Sequence, residues 1–182
     1  MEAALALAVV QTGDVGRAAV LVDRARATVA AGGEHWAIAA VSLLGAQIAV
    51  AAGDVSLVAT MAADAHRHAE ATDFDAFRVP ASLLEAWVAE RRGDSDAATR
   101  AYRRVVDLAN RAGFADHTAF ALSALASHAL ASGEMARAEG LERRALATAE
   151  AARAAWTAAH ARVALGRILT MAGDTETAAT YP

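Results

Sequence analysis

Apolar positions along the chain recur at the three- and four-residue spacing of one helix face. In the stretch after Gly93, Ala98, Ala101, Tyr102, Val105, Leu108 and Ala109 fall on one side, while Arg100, Arg103, Arg104, Asp107 and Arg111 fall on the other. The helical pattern is broken at a fixed interval. Gly13-Asp14, Gly53-Asp54, Gly93-Asp94, Gly133-Glu134 and Gly173-Asp174 are five copies of one punctuation, each 40 residues from the last. Glycine suits the left-handed residue just past a helix end, and an acidic side chain can cap the free N–H groups of the next helix. A pair that stops one helix and starts another at constant spacing predicts a recurring helical hairpin, the signature of a solenoid.

The helix after each pair (helix B) is expected to end near Gly32-Gly33, Thr72-Asp73, Ala112-Gly113 and Ala151-Ala152. The helix before each pair (helix A) reads as 36–52, 77–92, 116–132 and 155–172, with Asp75 and Asp116 as caps. Pro80 fits only in a first turn, so its helix should start late. Trp36 and Trp156, three periods apart, should occupy equivalent corners at the start of an A helix. The first A helix would have 12 residues, and the fifth B helix would run only from Thr175 to Tyr181. Terminal repeats of a solenoid need a polar outer face. With none apparent, residues 1–182 are expected to form one helical-repeat domain taken from a longer array, about nine helices and a partial tenth.

Composition sharpens this picture. Alanine supplies 55 of the 182 residues, so helices are favoured and can pack closely. The absence of cysteine rules out disulfides and thiolate metal sites. All 17 basic residues are arginine; with the abundant alanine and glycine this points to a GC-rich bacterial genome. The net charge is −4, with 11 acids against 6 arginines in residues 1–91 and 10 against 11 in 92–182. A mildly acidic chain is poorly suited to direct contact with nucleic acid, whose affinity rests on phosphate contacts. The first residues lack a signal-peptide pattern, and their apolar run ends at Gln11, too short to span a bilayer. The expected location is the cytoplasm, with no membrane contact.

The spacing resembles the tetratricopeptide repeat (TPR) family over nearly the whole chain. That family places a small residue mid-way along helix A, matched by Ala46, Ala86, Ala126 and Gly166, then an alanine five residues after the turn glycine, matched by Ala18, Ala98 and Ala138 but not Val58. A further small position on helix B is met by Ala25, Ala65 and Ala145 but not Val105. Tyr102 suits the family's aromatic slot, whereas Val22, Ala62 and Glu142 do not. The tryptophan position on helix A holds Ser42, Ser82, Leu122 and Arg162, and the period is 40 instead of the family's usual 34. Longer Ala/Arg-rich repeats of this kind, above all from Arg143 through Gly173-Asp174, look like the helical arms of large bacterial LuxR-type and SARP-type transcriptional regulators. The resemblance implies an all-α, right-handed solenoid of antiparallel hairpins that joins or senses for other domains.

No phosphate-cradling glycine loop and no nucleophile elbow are present, so the chain reads as non-catalytic, with no cofactor. His66 and His68 point to different faces of one helix, and Asp64 with His68 makes at most a weak metal site. Arg103-Arg104 and Arg143-Arg144, one period apart, form either a basic patch or a solvated outer face in which Asp107, Glu139 and Glu142 sit among the arginines. Asp107–Arg111 and Glu139–Arg143 have the spacing of helical ion pairs. If the A helices line a concave groove as the resemblance implies, its row is Leu43, Gln47 and Val50; Leu83, Trp87 and Glu90; Phe120, Ser127 and Leu130; His160, Val163 and Arg167. Aromatic anchors among polar groups suit recognition, with Trp87 foremost; alternatively the row packs the next turn of helices. The function expected is protein interaction or signal relay, the partner being another protein or another domain of the same parent, with a peptide or small-molecule sensor as the alternative. Cut ends with apolar faces also allow a homodimer.

Overall fold

The computed structural model describes residues 14–181. The expected first A helix and Gly13 lie outside the described residues. Nine helices follow in order: α1 (Val15–Gly32), α2 (His35–Ala52), α3 (Val55–Thr72), α4 (Asp75–Arg91), α5 (Ser95–Ala112), α6 (Ala115–Ala131), α7 (Met135–Ala151), α8 (Ala155–Ala172) and the short α9 (Thr175–Ala178). There is no strand among the described residues. The fold is all-α and built of repeated TPR-like helical hairpins.

Punctuation works as the sequence implies. Gly53, Gly93, Gly133 and Gly173 take φ of 73°, 78°, 77° and 85°, the left-handed region that ends each A helix. Asp14, Asp54 and Asp174 accept from the backbone N–H of Arg17, Leu57 and Thr177 at 2.9–3.0 Å. Glu134, one methylene longer, makes no such cap and pairs with Arg137 at 2.6 Å. The B helices end at the same period in Gly33, Asp73, Gly113 and Arg153, all with positive φ.

Two details depart from expectation. Phe74 and Phe114 occupy the N-cap positions, leaving Asp75 and Asp116 inside the first turn. There their charge still favours the helix N-terminus, and Asp75 pairs with Arg78 while Asp116 accepts from the Thr157 hydroxyl. Pro80 does not delay α4, which starts at Asp75 and carries it inside the second turn. Its missing N–H leaves the Ala76 carbonyl without its helical donor. Trp36 and Trp156 are, as anticipated, each the second residue of an A helix, and both are exposed.

The chain divides into two compact units, residues 1–94 and 95–182. In the first, successive helices pack side by side and α2 also meets α4. In the second, α6 likewise meets α8. Among the described residues the backbones of the B helices make no equivalent approach, α1 to α3 or α5 to α7. Small residues stand midway along the A helices. Ala46, Ala86 and Ala126 are fully buried, and a Cβ on Gly166 would lie 2.8 Å from the Tyr181 carbonyl. The cores are correspondingly fine-grained, as in Ala18, Val22, Ala25, Val41 and Ile48 between α1 and α2. Helix α2 is long and apolar enough to cross a membrane by length and composition, yet half of it is buried against its neighbours.

Candidate interaction site

On the A-helix face of the first unit, Leu43 is buried against Ala65 and Ala81 with Phe77 and Leu84, so it supports the face from beneath. Gln47 and Glu90 are exposed, and Leu83 is half-buried. Trp87 is half-buried with Val50 over the cluster of Ala49, Val58 and Val88. The Arg91 guanidinium lies 5.8 Å from its ring centroid, within cation–π range. A half-buried aromatic ring packed on an apolar cluster is a rigid anchor that could receive an apolar group.

On the A-helix face of the second unit, Phe120 is half-buried, and Ser127 is exposed with its hydroxyl donating back to the Ser123 carbonyl at 3.2 Å. Leu130 packs on Ala129, Ala138 and Ile168. His160 is exposed and stacks on Trp156, the rings 5.8 Å apart and 12° from parallel. Val163 and Arg167 line an open cleft of about 580 Å³ between α8 and α9, floored by Gly166 and closed by Tyr181.

The histidines of α3 behave differently from a ligand set. Asp64 accepts from Arg26 at 2.7 Å and from Arg67 at 2.8 Å. His68 Nδ1 lies 2.8 Å from Nδ1 of His35, and burial, then His35, lower its pKa. His66 stands 3.8 Å from both Glu70 and Glu85.

The outer-face reading of Glu142 is overturned. It is fully buried: Oε1 accepts from the Ser123 hydroxyl at 2.6 Å and Oε2 has no partner. Burial pushes its carboxyl above the usual range, with Ser123 opposing. The signal was available, since Glu142 stands one period after the buried Tyr102, a core register. Glu139–Arg143 forms as anticipated, while Asp107 and Arg111 make no ion pair among the described residues. Sequence reasoning also missed the clefts between B helices, because an unfilled space leaves no mark on periodicity.

Fold and faces together define a TPR-like helical-repeat protein. No family model matches the sequence, and no curated protein matches it. Among solved structures, the chain is similar to a Podosopora anserina protein described as a kinesin light chain with nearly identical TPR-like repeats, at 19% identity and TM-score 0.73, covering 99% of this chain and 89% of that one. It is also similar to a signal transduction ATPase with numerous domains (STAND) that carries a tetratricopeptide repeat sensor, from Pyrococcus horikoshii, at 14% identity and TM-score 0.78. The apo form of RapI matches with 9% identity and TM-score 0.78. The alignment covers 99% of this chain in both, but only 28% of the STAND protein and 50% of RapI. Identities this low establish the fold alone.

Proposed function

We propose that the chain is a non-catalytic protein-interaction and signal-relay module whose partner, another protein or another domain of its parent, docks on the A-helix faces. The observation that carries this reading is Trp87, half-buried over the cluster of Ala49, Val58 and Val88 with the Arg91 guanidinium against its ring. Burying such a ring against a partner is the kind of contact that dominates binding energy, at about 2 kcal/mol or more per anchor. In this reading the chain works in the bacterial cytoplasm as the relay arm of a multidomain transcriptional regulator of the LuxR or SARP type. Its similarity to a STAND protein with a repeat sensor supports a place in such an architecture.

The test is quantitative affinity capture from lysate of the source organism, with the wild-type chain and Trp87→Ala as paired baits. The reading expects a partner retained by the first and depleted by about tenfold or more with the second, the loss of one strong anchor. Identical captured sets would refute it, provided circular dichroism shows the variant folded. An immunoblot of the same lysate adds the parent's size; a band matching the free 18.7 kDa chain would remove the regulator arm while leaving the interaction module standing.

A further inference from the structure

Within the second unit, α5 and α7 stand apart over α6 and leave an open cleft of about 530 Å³. That is in the size range of about 300–1,000 Å³ typical of ligand-binding clefts. Its floor is apolar: Val106, Leu122, Leu125 and Leu141. Three guanidinium groups surround it, from Arg103 on α5 and from Arg137 and Arg144 on α7. Arg137 is shared with Glu134 at 2.6 Å, and no ion pair engages Arg103 or Arg144 among the described residues. Val106, Leu122 and Leu125 are largely buried and Leu141 half-buried, so exposed arginines, with too few carboxylates to match, rim a closely packed apolar floor.

The repeat does not require this. The cleft between α1 and α3 over α2 shares three lining positions with it at a distance of 80 residues, and has Asp23 in place of Arg103, Asp64 in place of Arg144 and Arg26 in place of Val106. There Asp64 holds both Arg26 and Arg67, so the first cleft neutralises its own charge. Gly140 adds a separate observation. Glycine inside a helix weakens it, and here a Cβ would meet nothing within 4 Å, so no contact within the described chain calls for its absence. It lies on the cleft-facing stripe of α7 between Arg137 and Arg144, where it leaves the helix backbone open to close approach.

We propose that this cleft docks an acidic amphipathic helix of a partner protein. Arg137 and Arg144 are seven residues apart, two turns on one face, and therefore separated by about 10.5 Å along the helix. A single small anion cannot bridge that gap, but carboxylates at i and i+7 of a helix running beside α7 match it. Apolar side chains at the intervening i+3 and i+4 positions would then fill the floor, the helix-in-groove mode of recognition. Arg103 closes the opposite rim from α5. A basic helix would meet three like charges and be rejected. This surface lies on the B-helix side and is independent of Trp87 and the A-helix faces.

The probe is a fluorescein-labelled peptide of about 18 residues, five turns, whose one face carries glutamates at i and i+7 and leucines at i+3 and i+4. Two controls replace the glutamates by lysine or the leucines by serine, and all three are titrated against the full chain by fluorescence anisotropy. Saturable binding is expected for the acidic amphipathic peptide, weaker by about tenfold or more for each control, as for the loss of a principal contact. Arg103→Glu with Arg144→Glu should weaken it by about tenfold or more, because desolvated charge pairs are lost. Arg100→Glu with Arg104→Glu changes the net charge equally outside the cleft and should change affinity less than about threefold, as screened charges do. Gly140→Leu should abolish binding while leaving the melting temperature unchanged or raised, which separates occupancy of the cleft from damage to the fold. The proposal is overturned if the acidic peptide shows no saturable binding, if the serine peptide binds as well, if both arginine pairs act alike, or if Gly140→Leu binds normally.

Discussion

Replacing Glu142 by glutamine should leave the protein's stability nearly unchanged in acid and raise it progressively as the pH increases. Glu142 is 0% exposed, one oxygen accepts from Ser123 at 2.6 Å, and the other has no partner. Its carboxyl titrates above the ordinary value of 4.5 because burial penalises the anion more than the single hydroxyl repays. A folded-state pKa above the unfolded value means that the native state binds more protons through the window between them. Stability is therefore greatest below 4.5 and is lost as pH rises through the folded value. Within that window the wild type should lose about 1.4 kcal/mol per pH unit to this group alone, then plateau. Glutamine keeps the volume and an acceptor for Ser123 but cannot ionise, so its curve lacks that component. Its amide nitrogen replaces one unpartnered oxygen with an unpartnered donor, of comparable cost at about 1–3 kcal/mol, which is why the acid-side difference is small.

Urea unfolding followed by circular dichroism, at a series of pH values from 4.5 upward, gives the two curves. Ser123→Ala provides the internal check. Removing the hydroxyl withdraws the one interaction that lowers the pKa, so this variant should be less stable than wild type by about 1–2 kcal/mol at neutral pH. A Glu142→Gln difference that is the same at every pH would mean the carboxylate is solvated in the folded state and would refute this account.

Arg153 holds φ at 57° where the corresponding helix ends have Gly33 and Gly113. Arg153→Gly should stabilise by about 0.5–1 kcal/mol, the left-handed strain relieved less the added backbone entropy, and a lower urea midpoint would contradict it. At Gly45 a Cβ would meet Val22 Cγ1 at 3.0 Å and the Met61 sulfur at 3.1 Å. Gly45→Ala should therefore destabilise by about 0.5–2 kcal/mol, overpacking outweighing helix propensity; a raised melting temperature would show that Met61 moves aside freely. His68 and His117 both have lowered pKa values, burial being the main cause in each. A depressed folded value puts their contribution above 6.5, lost as pH falls through the folded value, so stability should drop on the acid side of neutrality. Replacing both by asparagine should flatten that part of the urea-midpoint profile, and an unchanged slope would assign it to other groups.

How much of this could be read beforehand depended on whether the information was periodic. The helix order followed from the 40-residue recurrence, because each glycine requires a positive φ and each aspartate a free N–H, demands that act locally. Phe74 and Phe114 escaped because a cap can be met by backbone geometry alone, without a side-chain acceptor. Pro80 misled because the rule for first turns ignores what tertiary packing of Val79 and Ala81, both fully buried, can hold in place. Of the candidate row, Gln47 is exposed and Trp87 half-buried, while Leu43 is buried against Ala65 and Ala81 of α3 and α4. Glu142 was misassigned because a carboxylate among arginines looks solvated, and only its register against Tyr102 says otherwise.

That contrast separates what the repeat fixes from what it leaves free. The backbone lattice is set by positions that cannot vary cheaply: left-handed turn residues, caps, and fully buried alanines. The rim of the cleft between α5 and α7 lies outside this list, since Arg103 and Arg144 are exposed and only its floor of Val106, Leu122 and Leu125 is buried. Residues lining it can change charge without altering the fold, as Asp23 and Arg103, or Asp64 and Arg144, do at equivalent places. Ion pairs at such half-exposed positions add little stability, about 0–1 kcal/mol. Keeping Arg103 and Arg144 unpaired over an apolar floor therefore costs the fold little, and a carboxylate-bearing helix would meet rigid, preformed partners there. Specificity in this chain can then differ from one B-helix cleft to the next while the helices that carry it stay the same, which is why the charge reversal, more than the repeat itself, marks where a partner would be chosen.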